Sequence, residues 1–307
     1  MTTLFRKSIL FTADRRPVRS FFQKYGMKLI AHRFVAAEHL KDTVEKVKEL
    51  NARGLMVTLD YLGESVKDER LAAEAAGMVL QTYDAIERNK LNSNVSVKLT
   101  QLGLNISHDV CLNHMRKIAA KAKEQGNFVR IDMEDSPYTQ VTIDIYNTLR
   151  EEFGGETVGL VLQSYLYRTE EDLRGLLPSG PNLRIVKGAY QEPASVAFPS
   201  KSDVDGNYVR LVQIMMDNGC YAAIASHDEK IITELINYAS EHNIRRDRFE
   251  FQMLYGISGQ LQQRLADQGF RVRVYTPFGE QWYPYFTRRL AERPANALFV
   301  LKGLFRK

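Results

Sequence analysis

The chain lacks most of the features that mark a metal protein, a phosphate-loop protein or a membrane-spanning one. Its 307 residues include only two cysteines, Cys111 and Cys220, far apart and each within an apolar stretch. That excludes a disulfide framework and a thiolate metal cluster, and it fits a reducing cytoplasm. The six histidines form no His-Glu-x-x-His pair and no cluster with carboxylates, and no Cys-x-x-Cys occurs, so no metal is expected. The Gly-x-Gly-x-x-Gly turn and the P-loop are missing too, so any dinucleotide has to be held by loops of another kind. No run approaches the ~20 apolar residues that cross a bilayer. Low-complexity segments and interior linkers are also lacking.

Strong charge of one sign is confined to one end. Residues 1–33 hold Arg6, Lys7, Arg15, Arg16, Arg19, Lys24, Lys28 and Arg33 against the single Asp14, within a net charge of +5 for the whole chain. The other 34 basic and 36 acidic residues therefore leave about −2, which is not the charge of a domain built to neutralise a phosphate backbone. No nucleic-acid partner is expected. The basic arm has three readings: a mitochondrial transit peptide, a peripheral contact with an anionic membrane, or a solvated helical arm whose Phe5, Ile9, Leu10, Phe11, Phe21 and Phe22 pack back on the domain. The protein is accordingly read as cytoplasmic, with peripheral attachment to the inner face of the cell membrane as an option.

What is present is a repeat. From residue 54 onward, short β-branched or apolar runs alternate eight times with longer amphipathic runs. Strands are expected at 54–61, 94–100, 127–133, 158–165, 182–188, 220–226, 249–254 and 271–277. Helices are expected at about 65–90, 108–125, 139–152, 169–177, 204–219, 229–242, 258–268 and 281–292, with Thr169 and Asp228 as caps. Eight β/α units with right-handed crossovers favour a closed (β/α)8 barrel over residues 51–307, the alternative being an open doubly wound sheet. Residues 1–50 read as a helical arm of two or three helices that plugs or flanks the barrel, with 39–52 strongly amphipathic. Beyond Pro294, residues 295–305 read as a short apolar helix.

In such a barrel the chemistry lies where strands end, whereas a polar residue in mid-strand is expected to point outward. The expected strand ends carry Asp60 and Glu64, Lys98, Asp132 and Glu134, Gln163, Arg184 with Lys187, Ser226 with His227, Gln252, and Tyr275. Singly, each has a plain explanation, such as an ion pair for Lys98 or Asp132 and a helix cap for His227. Together they bring cationic and amide groups to one mouth, and an anionic ligand is the partner such groups require. On the last helix Tyr285, Arg288, Arg289 and Glu292 fall at i, i+3, i+4 and i+7, along one face. Arg288 and Glu292 could be a solvated surface pair; two adjacent guanidiniums beside a tyrosine also suit bidentate capture of a carboxylate.

Nine blocks follow one another in the chain: LDYLGES at 59–65, VKLTQLG at 97–103, RIDMEDS at 130–136, LQSYL at 162–166, RIVKGAY at 184–190, ASHD at 225–228, FEFQMLYG at 249–256, VYTPFG at 274–279 and YFTRRLAE at 285–292. On these the sequence resembles the proline dehydrogenases, in their short monofunctional bacterial form. The resemblance implies a distorted barrel of the TIM type with its eighth helix over the mouth. It implies FAD as cofactor, with hydride transfer from L-proline to flavin N5 giving Δ1-pyrroline-5-carboxylate, the first step of proline catabolism, and a quinone as electron acceptor. It implies that Arg288 and Arg289 hold the proline carboxylate while Tyr275 and Tyr285 close the pocket, and that Leu254 packs on the ring carbons. Lys98 would lie beside the substrate, and Asp132 and Arg184 would be the catalytic pair beside substrate and flavin, with Glu64 set to pair with an active-site arginine. Met133, Gln163, Arg184, Lys187, Gly188, Ala189, Tyr190, Ser226, His227 and Glu292 match positions around FAD. Two departures stand out: Ser226 where many relatives have threonine, and Tyr255 where longer members have histidine.

Two other classes are compatible with parts of the pattern. Lys98 or Lys187 near a barrel strand end could form a Schiff base in a lyase or aldolase. The arginine pair alone could serve a non-catalytic amino-acid-binding protein.

Overall fold

Parallel strands buried on both faces read as apolar runs, and the helices between them must cover the outer face. The computed structural model describes residues 31–292, the side chains of Ala31, Arg288, Leu290, Ala291 and Glu292 excepted. The helices expected before residue 31 and the apolar helix expected at 295–305 lie outside the described residues. Eight strands, β1 (Met56–Tyr61), β2 (Ser93–Val97), β3 (Val129–Ile131), β4 (Val158–Gln163), β5 (Asn182–Val186), β6 (Tyr221–Ala225), β7 (Phe249–Leu254) and β8 (Val272–Phe278), run parallel in chain order. The pairing of β8 with β1 closes them into a barrel, so the open sheet is excluded.

Helix α1 (Leu40–Ala52) precedes the barrel, and α2 (Glu69–Asn89), α3 (His108–Glu124), α4 (Thr139–Phe153), α5 (Thr169–Leu176), α6 (Lys201–Asp217), α7 (Glu229–Glu241) and α8 (Gly259–Asp267) connect its strands. Helix α9 (Trp282–Glu292) follows β8. Asp68, Ser107, Ser200 and Asp228 cap α2, α3, α6 and α7 by accepting backbone N–H bonds. Thr169 does not cap α5 as expected; it is the first helical residue, and its hydroxyl donates instead to the Gln163 carbonyl at 2.5 Å. No helix among the described residues is long and apolar enough to cross a membrane.

The main hydrophobic core lies between strands and helices, with Val57, Leu59, Val95, Val97, Val129, Ile131, Leu160, Leu162, Leu183, Ile185, Phe251 and Val274 as its strand side. The alternate positions face the barrel axis, and here the expectation for mid-strand polar residues is overturned. Thr58, Asn94, Ser96, Arg130, Glu250 and Arg273 are mid-strand, yet they turn inward and bond to one another or to the barrel backbone. Two bonds span the barrel: Arg184 on β5 donates to Ser96 on β2 at 2.9 Å, and Tyr275 on β8 donates to Asp132 beyond β3 at 2.8 Å. The physical reason is simple: with helices covering the whole outside, an unpaired polar group facing outward would be buried in hydrocarbon.

Small residues make room for this filling. In the strand registers Arg130 lies beside Gly159 and Arg184 beside Ala223. Across Gly159, Arg130 reaches the carbonyls of Leu160 and Asn182 at 3.1 and 2.7 Å; a Cβ on Gly159 would fall 2.6 Å from the Arg130 guanidinium.

Candidate active site

At the C-terminal ends of the strands the charged filling opens into a cavity of about 1310 Å³. It runs from the barrel mouth outward between α6 and α7. That exceeds the 300–1,000 Å³ of ordinary small-molecule sites, leaving space for a large ligand and a small one together.

Lys98 and Asp132 each stand one residue beyond a strand, where the pleat still aims them inward. Lys98 Nζ donates to both Asp60 carboxylate oxygens at 3.0 and 3.1 Å, and to Asp132 Oδ2 at 3.4 Å. Asp132 also accepts from the Ser96 hydroxyl at 2.7 Å and from the Arg184 guanidinium. The Arg184 guanidinium carbon lies 5.2 Å from the Tyr275 ring centroid, and its Nη1 donates to Gln252 Oε1 at 3.2 Å.

The electrostatics follow from burial. Desolvation opposes a charge on Lys98, but Asp60 and Asp132 outweigh it and raise its pKa. Burial likewise favours neutral Asp132, yet Arg184 and Lys98 hold its carboxyl below the ordinary range. At Asp60 burial prevails and its pKa rises despite Lys98. Lys98 is thus a charged ammonium locked between carboxylates, the wrong state for attack on a carbonyl. Lys187 is likewise held by Asp205 at 2.5 Å and Asp228 at 3.4 Å. The Schiff-base reading has no amine poised for it among these two.

The loop after β5 turns through Gly188 at φ +113°, a conformation closed to ordinary L residues, and an added Cβ would fall 2.3 Å from the Tyr165 ring. That turn lets Lys187, Gly188, Ala189 and Tyr190 line the cavity in succession. After β6, the Ser226 hydroxyl accepts the Asp228 N–H at 3.1 Å, keeping the role a threonine hydroxyl could play. His227 does not cap α7; its Nε2 accepts the Leu254 N–H at 2.9 Å and ties the end of β7 to β6.

Helix α9 lies over the mouth. Trp282 is buried and its indole N–H donates to Glu38 at 3.0 Å, while Phe286 packs on Phe34 with ring centroids 6.1 Å apart. Ala36 and Gly279 complete the strap by backbone bonds to Pro277 and Ala37. Held this way, the helix presents buried Tyr285 and half-buried Arg289 to the cavity, with the Arg289 guanidinium 5.2 Å from the Tyr285 ring centroid. For these two residues a solvated surface face is excluded. The side chains of Arg288 and Glu292 lie outside the described residues.

Lys98, Asp132, Met133, Gln163, Arg184, Lys187, Gly188, Ala189, Tyr190, Ser226, His227, Leu254, Tyr275, Tyr285 and Arg289 all line this one cavity. Of the other strand-end candidates Gln252 lines it as well, whereas Asp60, Glu64 and Glu134 do not: Asp60 lies behind Lys98, and Glu134 is taken up by the Thr100 N–H and hydroxyl.

A profile of the family described as proline dehydrogenase matches residues 43–302. The chain belongs to the proline dehydrogenase family. Proline dehydrogenase 1 of Bacillus subtilis (strain 168) is 44% identical over 99% of this chain and 100% of its own length. The proline dehydrogenase of Deinococcus radiodurans is 44% identical over 99% of this chain and 98% of its own. Among solved structures, proline utilization A from Bdellovibrio bacteriovorus inactivated by N-propargylglycine superposes with a TM-score of 0.82 at 24% identity. That match covers 94% of this chain and 36% of the larger protein, and at this identity it speaks to the fold. Full-length correspondence with the two bacterial proline dehydrogenases agrees with the short form of the family.

Several groups that build this cavity escaped the sequence reading. Ser96, Arg130, Glu250 and Arg273 support it from below, and Arg210, Gln213 and Glu234 on α6 and α7 line its outer end. A signal for the first set existed: polar residues recur with period two at 58 and 60, at 94, 96 and 98, at 250 and 252, and at 273 and 275. For the helical set there was none, because a helix face toward a groove reads like one toward water.

Proposed function

We propose that the chain is an FAD-dependent proline dehydrogenase that oxidises L-proline to Δ1-pyrroline-5-carboxylate and passes the electrons to a quinone-type acceptor. The observation that carries the reading is the convergence of Lys98, Asp132, Arg184, Tyr275, Tyr285 and Arg289 on one cavity, in a chain of this family.

The residues present fit FAD. The cavity is long, has apolar wall at Val161, Val186 and Met253, and carries the start of α7 and Lys187 where an anionic group could be met. Arg184 Nε is buried with no hydrogen-bond partner, a donor still to be satisfied. Met133, Gln163, Arg184, Lys187, Gly188, Ala189, Tyr190, Ser226, His227 and Glu292 would hold the cofactor. When bound, FAD supplies the acceptor for the two electrons and the hydrogen that leave proline Cδ as a hydride. A guanidinium such as Arg184 beside it favours the electron-rich form by its charge.

The substrate is read as held by the chain's own side chains. Arg288 and Arg289 grip the carboxylate in the two-pronged geometry that lysine cannot reproduce. Leu254 contacts the ring carbons, and Tyr275 and Tyr285 exclude water. Asp132 stays ionised at neutral pH, so it fixes Arg184, Lys98 and Tyr275 in place rather than exchanging protons with the substrate. Anchoring one end of a rigid five-membered ring sets the other end, and that positioning removes much of the entropic barrier.

The decisive experiment is optical. Purified protein should be yellow and should bleach when L-proline is added without oxygen. Colourless protein that takes up no FAD would return the case to the amino-acid-binding reading.

A further inference from the structure

Beneath the cavity floor sits a charged cluster that the proposed chemistry does not use. Glu250 on β7 is 2% exposed and does not line the cavity. Its Oε1 accepts from Arg273 at 2.7 Å and from Gln252 Nε2 at 2.5 Å; its Oε2 accepts from Arg273 at 3.1 Å and from Tyr221 at 2.9 Å. Gln252 stands two residues further along the strand, on the same inward face, and reaches the cavity with the other end of its amide. There its Oε1 accepts from Arg184.

An amide clamped between a carboxylate and a guanidinium has one workable orientation. Turned over, its oxygen would face the Glu250 oxygens and its NH2 group would face the Arg184 donors, leaving buried groups unpaired on both sides. Glu250 therefore acts at a distance: as an acceptor it takes the NH2 group and leaves the oxygen for Arg184. Burial disfavours its charge, but Arg273 and the hydrogen bonds hold its pKa down at about 2, so the acceptor persists at any ordinary pH. Without this pull from the β7 side, the remaining acceptors of Arg184 are Asp132 and Ser96, both on the β2–β3 side. The guanidinium would then swing toward them.

We infer that Glu250 is a positioning residue which, through the amide of Gln252, sets the place of the Arg184 guanidinium in the cavity and so tunes the electron affinity of the bound flavin. This rests on the reading of the cavity as a flavin site with Arg184 beside the cofactor.

The test uses the flavin-loaded enzyme and reads the flavin midpoint potential together with kcat and KM for proline. Exchanging Glu250 and Arg273 together for methionine removes the acceptor without stranding a buried charge, a replacement that folded proteins commonly tolerate. The double variant should keep its flavin, show a more negative midpoint potential and lose about tenfold in kcat with KM little changed, the scale expected when a bond to a charged group is lost. Tyr221→Phe is the control; it removes a Glu250 partner but leaves the Gln252 link, so it should melt lower with an unshifted potential. A double variant with wild-type potential and kcat overturns the inference, as does a Tyr221→Phe shift of equal size. Should the double variant not fold, Gln252→Leu carries the test: a negative shift supports the relay, and an unchanged potential beside a shifted Arg184→Lys ends it. Wild-type protein that holds no flavin, or is not bleached by proline, is a different failure; it removes the flavin reading itself and this inference with it.

Discussion

Arg289 and Glu250 represent two ways in which a single charged side chain is fixed here. Arg289 meets the cavity against the Tyr285 ring, and in the proposed chemistry it shares the proline carboxylate with Arg288. Arg289→Lys keeps the charge but removes the planar fork. We expect KM for proline to rise by tenfold or more, about 1.4 kcal/mol of binding, with flavin content unchanged; a wild-type KM would remove Arg289 from substrate binding. Glu250 is a stability matter as well. Its carboxyl titrates at about 2 in the folded chain against an ordinary value of 4.5, so as pH falls the unfolded chain takes up the proton first. Its contribution of about 3 kcal/mol is complete above about pH 5 and is lost as pH drops through 2. Glu250→Gln should therefore melt well below wild type at pH 7, and the gap should narrow as pH approaches 3. A gap of constant size over that range contradicts the pairing.

Strand β4 shows what an element must give up for its neighbours. Gly159 sits in register with Arg130 of β3, and the Arg130 guanidinium passes over it to the backbone of β5. A Cβ at 159 would lie 2.3 Å from the Phe128 ring, 2.6 Å from Arg130 and 2.7 Å from the Asn182 carbonyl, and the last of these is backbone that cannot step aside. Gly159→Ala should cost 1–3 kcal/mol, the usual range for overpacking, lowering Tm by about 2–4 °C per kcal/mol. Arg130 has no carboxylate partner among its hydrogen bonds, and burial followed by repulsion from Arg184 pushes its pKa down to about 9. Its bonds to the Leu160 and Asn182 carbonyls therefore carry the cost of keeping it buried, and unchanged Tm in Gly159→Ala would show that they bend freely. Helix α9 makes the complementary point: over the mouth it is held by the strap of residues 34–38, which is itself bonded to β8 through Ala36 and Pro277.

At the scale of the whole molecule the outstanding question is how electrons leave. The basic arm of residues 1–33 is proposed to lie on anionic lipid at the inner face of the cell membrane, where a quinone-type acceptor would be within reach; polybasic segments gain about 1 kcal/mol per Lys or Arg near such a surface. Deleting residues 1–20 should abolish cosedimentation with vesicles containing phosphatidylserine at low salt while leaving proline-dependent bleaching intact. Binding that survives the deletion rules out the arm as the attachment.

Much of this was legible in the chain. Alternating two- and three-to-four-residue periods are local properties, so eight β/α units could be counted from residues alone, and the blocks from LDYLGES to YFTRRLAE marked the loops where side chains meet. The sequence by itself thus determined the number and order of the units, the family, and most of the residues that line the cavity at the mouth. Only the tertiary structure decided which face of each strand looks at the barrel axis. Period two separates two faces but cannot say which is inside when both are buried, and so the general expectation that mid-strand polar residues point outward fails at Arg130, Glu250 and Arg273, which fill the barrel instead. Position over the mouth was decided the same way for Tyr285 and Arg289: spacing put them on one side of α9, and contacts of that helix with residues far away in the chain turned the side inward.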